Sequence, residues 1–224
     1  MRAVTLAGCL AIGLVAVVGC SRADDSHANS YTALDDQASQ LREDFNRANG
    51  SVRLLFVVDP ICPTCLRGLD DMNRDLLAGT SDSRLVTFVV HEPVLGAARV
   101  APWLRTTASH DIPAAAELLH NSHVKHYWNG SAEFGRLLAD SVDLKGGNGR
   151  VYAWDVWLIY GPDATWSGAG PPQPLLLMQQ LGALRDSSEF PHLDSKVFAQ
   201  RVRGLLARLP PASGGATANA QKPQ

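Results

Sequence analysis

The tightest constraint on this chain lies in residues 54–65: Leu54-Leu55-Phe56-Val57-Val58-Asp59-Pro60-Ile61-Cys62-Pro63-Thr64-Cys65. The apolar run is long enough for one strand, and Asp59-Pro60 breaks it. A Cys-x-x-Cys follows at once. Beyond it Leu66, Leu69, Met72, Leu76 and Leu77 recur at helical spacing. The pattern predicts a strand-to-helix junction with Cys62 at the helix start. There the free N–H groups and the positive end of the helix dipole stabilise a thiolate, the form that attacks disulfides and binds soft metals.

Whether the pair is structural or chemical depends on the other two of the four cysteines. Arg2 precedes an apolar, small-residue segment over 3–18, the pattern of an export signal and too short for a comfortable membrane span. It ends in Val17-Val18-Gly19-Cys20, which resembles a bacterial lipobox. That resemblance implies cleavage before Cys20 and lipid on its sulfur and on the new amino terminus. The expected organisation is a signal over 1–19, a lipidated polar tether over 20–30, one domain over 31–208 and a disordered tail over 209–224. The expected location is the bacterial cell envelope, lipid-anchored and facing the periplasm or exterior. Cys9 then leaves with the signal and Cys20 becomes a thioether, so Cys62 and Cys65 are the remaining thiols. They sit in an oxidising compartment. A loop this short gains little as a staple, because cross-links help most when they close long loops, so the pair reads as functional. Apolar content of 46% supports a real core, and a net charge of −2 gives no footprint for nucleic acid.

Taken in order, the chain reads as a helix over 31–49, a strand over 52–58, the dithiol helix over 66–77 and a second buried strand over 84–90. A strand, helix, strand order of this kind makes a parallel pair with a right-handed crossover. A segment over 91–149 reads as a mainly helical insertion, with helices near 111–119 and from 131. Residues 151–160 form an aromatic, β-branched strand. Thr165-Trp166 begin a short antiparallel partner. Helices are expected over 175–184 and 190–208.

This sequence resembles the thioredoxin-like superfamily over about 34–207, on the strand, the Cys62-Pro63-Thr64-Cys65 motif opening a helix, and the strand order. The resemblance implies an α/β fold, a central mixed sheet of about four strands flanked by helices. It implies an exposed attacking Cys62 and a resolving Cys65, with Pro63 and Thr64 between them shaping the site. It implies no cofactor, and partners that are thiols or disulfides of exported proteins. Two departures stand out. No proline lies between Arg150 and Gly161, so Asp155 is expected in the place where the family carries a cis-proline. There its charge would raise the cysteine pKa values. At the position six before Cys62, where thioredoxins have a buried acid, stands Phe56. Proton transfer then falls to another group such as Asp59 or Asp155. A rival reading, from a different class, is a copper or zinc binding protein or metallochaperone using Cys62 and Cys65 with His91 or Asp155. His120, His123 and His126 share a face if helical, and read either as ligands or as plain surface histidines.

Overall fold

The computed structural model describes residues 31–95, 107–119, 121–146 and 149–211. The signal segment, Cys20, Pro102-Trp103-Leu104, His120 and most of the expected tail lie outside them. Among the described residues no helix is long and apolar enough to cross a membrane.

The chain opens with a two-residue strand, β1 (Thr32–Ala33), and helix α1 (Ser39–Arg47). Strand β2 (Val52–Val58) leads into α2 (Pro63–Met72), which continues as one wider turn, Asn73–Leu77, of π type. Strand β3 (Leu85–His91), helix α3 (Ile112–Ala116), strand β4 (Val124–Trp128) and helix α4 (Phe134–Ser141) follow. A small ribbon, β5 (Lys145–Gly146) with β6 (Gly149–Arg150), precedes β7 (Val156–Tyr160), β8 (Leu176–Gln179) and the final helix α5 (Ser195–Leu206). The main sheet has the order β1-β4-β3-β2-β7-β8. Strands β2 and β3 are parallel from Val52↔Leu85 to Val58↔His91, and β7 runs antiparallel to both β2 and β8.

Every residue of β2 is buried, as expected for a strand covered on both faces. Alternation divides its side chains between two cores. Leu55 and Val57 join Phe45, Phe88, Tyr127, Phe134 and Leu158 beneath α1 and α4. Leu54, Phe56 and Val58 join Cys62, Cys65, Leu69, Trp157 and Phe198 beneath α2 and α5. Arg53 is the polar exception. Its guanidinium lies 4.4 Å over the Phe45 ring and donates to the carbonyls of Phe45, Gly161 and Ala164, so the buried charge is solvated by backbone oxygens.

Several expectations need correction. The main sheet has six strands rather than four. Residues 175–184 form strand β8 and a short 3-10 turn, Gly182–Leu184, instead of a helix. A short leucine run fits either state by periodicity, and here β7 requires an outer partner. Thr165 and Trp166 form no strand; Trp166 is 2% exposed and packs on Phe45 and Phe134. The segment after β3 carries β4 as well as helices. His126 lies on β4 and His123 in the turn before it, so helical spacing does not apply to the histidine run. Helix α1 starts only at Ser39, after Ala38 at φ 51, with Asp35 Oδ1 accepting from Ser39 N at 2.8 Å.

Candidate active site

The sheet brings the site together. Because β2 and β7 are antiparallel neighbours with Val57 opposite Val156, the end of β2 and the start of β7 share one edge. Cys62 and Cys65 follow the first, and Asp155 precedes the second. His91, opposite Val58, ends the next strand over.

At the end of β2 the chain turns sharply. Asp59 O accepts from Cys62 N at 3.0 Å. The Asp59 side chain is fully buried and well supplied with donors. Oδ1 accepts from Ile61 N at 3.0 Å, Oδ2 from Leu95 N at 2.7 Å, and Thr107 Oγ1 lies 3.2 Å from both oxygens. Burial raises its pKa, and these donors oppose the shift.

Cys62 is the N-cap of α2, in extended conformation at φ −77 and ψ 118, with Pro63 in the first helical position. That position suits proline, since its missing N–H has no helical partner to lose. Cys62 Sγ accepts from Cys65 N at 3.4 Å and lies 2.9 Å from Thr64 Oγ1. The Cys62 thiol is brought down to about 7, first by its hydrogen bond with the Cys65 side chain. Burial and the charge of Asp155 oppose this, while Thr64 and the Cys65 N–H assist it. Burial, followed by the hydrogen bond with Cys62 and the charge of Asp155, raises Cys65 well above the ordinary thiol range. One thiol is therefore primed and the other held protonated. Both cysteines are free thiols and buried. Cys62 is only 3% exposed, so the expectation of an open first cysteine is corrected. Leu95, Leu66 and Trp154 pack against the cluster that contains it.

Asp155 has φ 52, a left-handed conformation that aspartate tolerates better than most residues. Its carbonyl accepts from Gln180 N at 3.0 Å, which ties the turn to the end of β8. One of its carboxylate oxygens lies within 4.8 Å of both sulfurs. The residue is 1% exposed, and Oδ1 has no hydrogen-bond partner. Burial raises its pKa, against the pull of Thr64, Cys65 and Trp157. Phe56, in place of an acid, lies 4.7 Å from the Trp157 ring.

His91 stands apart from this grouping. It is fully buried, and its Nε2 lies 3.0 Å from His126 Nδ1, with the rings stacked at 5.3 Å. Burial, then His126, pushes its pKa well down. Among the described residues, the group whose ligand atoms all lie within 4.8 Å of one another is Cys62, Cys65 and Asp155.

One buried acid escaped the sequence reading. Glu92, next to His91, is fully buried and accepts from Gly135 N at 3.2 and 3.1 Å. Tyr152 Oη lies 2.8 Å from Glu92 Oε2 and 2.5 Å from Ala132 O. A tyrosine has one hydrogen. If it goes to the carbonyl, Glu92 must bring its own proton, in keeping with burial that raises its pKa to about 8. The sequence signal was slight: a glutamate directly after an apolar strand and before Pro93.

No family model and no curated relative matches this chain. Among solved structures it is similar to a candidate protein disulfide isomerase from Bacteroides thetaiotaomicron, at 10% identity over 73% of this chain and 78% of that one, with a TM-score of 0.42. It is also similar to a secreted Mycobacterium tuberculosis disulfide oxidoreductase homologous to E. coli DsbE, at 8% identity over 71% and 85%, with a TM-score of 0.41. A thioredoxin-like protein from Aeropyrum pernix shares 11% identity over 51% and 65%, with a TM-score of 0.35. All three are remote in sequence and in superposition. The parallel β2–α2–β3 unit, the antiparallel β7–β8 pair and the dithiol at the head of α2 make the fold of this chain thioredoxin-like.

Proposed function

We propose that this chain is a thiol–disulfide oxidoreductase of the bacterial cell envelope, acting on thiols or disulfides of exported proteins. One observation carries the reading. Cys62 Sγ caps α2 and accepts from Cys65 N, with the second sulfur held within 4.8 Å of it. The Cys62 thiolate attacks a substrate disulfide. That S–S bond breaks, one substrate sulfur leaves as a thiolate, and a mixed disulfide forms. Cys65 gives up its proton and attacks Cys62 Sγ, which releases the second substrate sulfur. The chain ends with a Cys62–Cys65 disulfide and the substrate has gained two electrons; the reverse sequence oxidises a substrate dithiol. Both electrons reside on sulfur, so no cofactor takes part. Because Cys62 is 3% exposed, attack requires that the groups covering it be displaced.

The anchor is the lipid on Cys20. It is supported by the apolar segment, the lipobox-like Val17-Val18-Gly19-Cys20 and the polar residues after it. The net charge of −2 favours protein partners over nucleic acid.

The test is mixed-disulfide capture in cells. Cys65→Ser should accumulate partners released by reductant, and Cys62→Ser should accumulate none. Capture of nothing by Cys65→Ser would overturn the exchange reading. Cys20→Ser should move the protein out of the membrane fraction; unchanged membrane retention would overturn the lipid anchor.

A further inference from the structure

Buried polar atoms are almost always hydrogen-bonded, and an orphan costs free energy. Three such atoms lie at the start of β7 and just past β8: Asp155 Oδ1, Trp157 Nε1 and Gln180 Oε1. They share one neighbourhood. Gln180 N bonds to Asp155 O, and both the Trp157 ring and Gln180 Oε1 press on Gly68 in α2, one turn past Cys65. Asp59, in the turn that precedes the dithiol, has donors on both of its oxygens. Of the three residues with orphaned atoms, Asp155 is the one that brings an atom within 4.8 Å of both sulfurs.

We propose that the reduced thiols of Cys62 and Cys65, with the carboxylate of Asp155, form a three-ligand site for a divalent thiophilic cation of the zinc class. The donor set is the argument. Zinc takes cysteine sulfur and carboxylate oxygen alike, and three protein ligands leave a fourth position open for water or an exchanging ligand. Copper(I) is a poorer fit, since a carboxylate is a hard ligand for it. Ligand atoms about 2.0–2.3 Å from one ion lie roughly 4 Å apart. The grouping, already within 4.8 Å, needs little contraction. Two thiolates and one carboxylate offset a doubly charged ion to within a single charge. Binding forms two metal–sulfur bonds and one metal–oxygen bond, displaces the thiol protons and some of the ion's water, and moves no electrons. His91 takes no part, because it lies outside the 4.8 Å grouping of ligand atoms. The site goes beyond thiol exchange and competes with it, since a metal-bound thiolate is not free to attack a disulfide.

The test uses the full chain, reduced and stripped of metal. Zinc is titrated in competition with a chromophoric chelator, and cobalt(II) is added separately as a spectroscopic stand-in. The expected result is one zinc per chain and a thiolate-to-cobalt charge-transfer band. Asp155→Asn should weaken zinc by at least about tenfold, the lower end of what even the loss of an outer-shell partner costs. Asp155→Cys, which returns a ligand to the same place, should restore binding. Absence of zinc uptake, or Asp155→Asn binding as tightly as the wild type, would overturn the site. Disulfide formation by the wild type in excess chelator reads exchange separately. A dithiol that cycles there but takes no zinc overturns the metal site alone. One that binds zinc but never cycles overturns only the exchange reading.

Discussion

Asp59 closes the turn that leads into the dithiol and Asp155 faces its sulfurs; both are buried, and they are held in opposite ways. Asp59 closes the β2 turn and gathers donors from Ile61, Leu95 and Thr107. It fastens residues on either side of segment 96–106 to the strand end. Asp155 stands at the head of β7 in a left-handed conformation with Oδ1 unpartnered. Burial raises the pKa of both, so burial alone does not separate them. The donors do: a carboxylate whose oxygens are both engaged is a structural fastener, and one with an unpartnered Oδ1 and an oxygen within 4.8 Å of two sulfurs is available to a proton, a substrate or a metal.

Substitution separates these roles. Asp59→Asn keeps the shape but turns one acceptor into a donor facing a backbone N–H. It should cost about 2–4 kcal/mol of stability, as buried hydrogen bonds are lost and a donor is stranded, read from denaturant midpoints. Gly68→Ala probes the dithiol side. Its Cβ would lie 2.3 Å from Trp157 Cζ2 and 2.7 Å from Gln180 Oε1, an overpacking worth about 1–3 kcal/mol. Thermal unfolding would report the loss, and a change in tryptophan fluorescence that disappears in a Trp157→Phe background would report the displaced ring.

Glu92 sharpens the comparison as a buried acid that keeps its proton. Its folded pKa of about 8 lies above its ordinary 4.5. The protonated form therefore favours folding. Its contribution is fully present below pH 4.5 and is lost as pH rises through about 8. Across that window stability should fall by up to about 1.4 kcal/mol per pH unit, and Glu92→Gln should flatten the slope. An unchanged slope would assign the proton elsewhere. The smallest effect belongs to Asp155→Asn. It removes a buried charge that has no full set of partners, so stability should move by no more than about 1 kcal/mol. A loss as large as that of Asp59→Asn would break the contrast.

The parallel β2–α2–β3 unit was legible because its signals are local: an apolar run, a Pro-containing break, and cysteines at a helix start. Asp155 was legible through the missing proline before β7. Residues 175–184 were misread because Leu175-Leu176-Leu177-Met178 suits either state, and the deciding fact is the open edge of β7, which no local pattern encodes. Glu92 with Tyr152, and Asp59 with Thr107, pair across 60 and 48 positions. Such partnerships leave no periodic trace in a single sequence. The stacked His91–His126 pair was hidden in the same way, since their strands meet only in the folded sheet.

The central claim is that Cys62 and Cys65 form a redox couple. The most direct measurement equilibrates the full chain in glutathione buffers with excess chelator and counts alkylatable thiols. A single two-electron transition, with about 30 mV per tenfold change, is the predicted result, ending in a Cys62–Cys65 disulfide. If both thiols stay alkylatable from about −300 mV to about −120 mV, the span over which known dithiol pairs oxidise, the dithiol is not a redox couple and the account is contradicted.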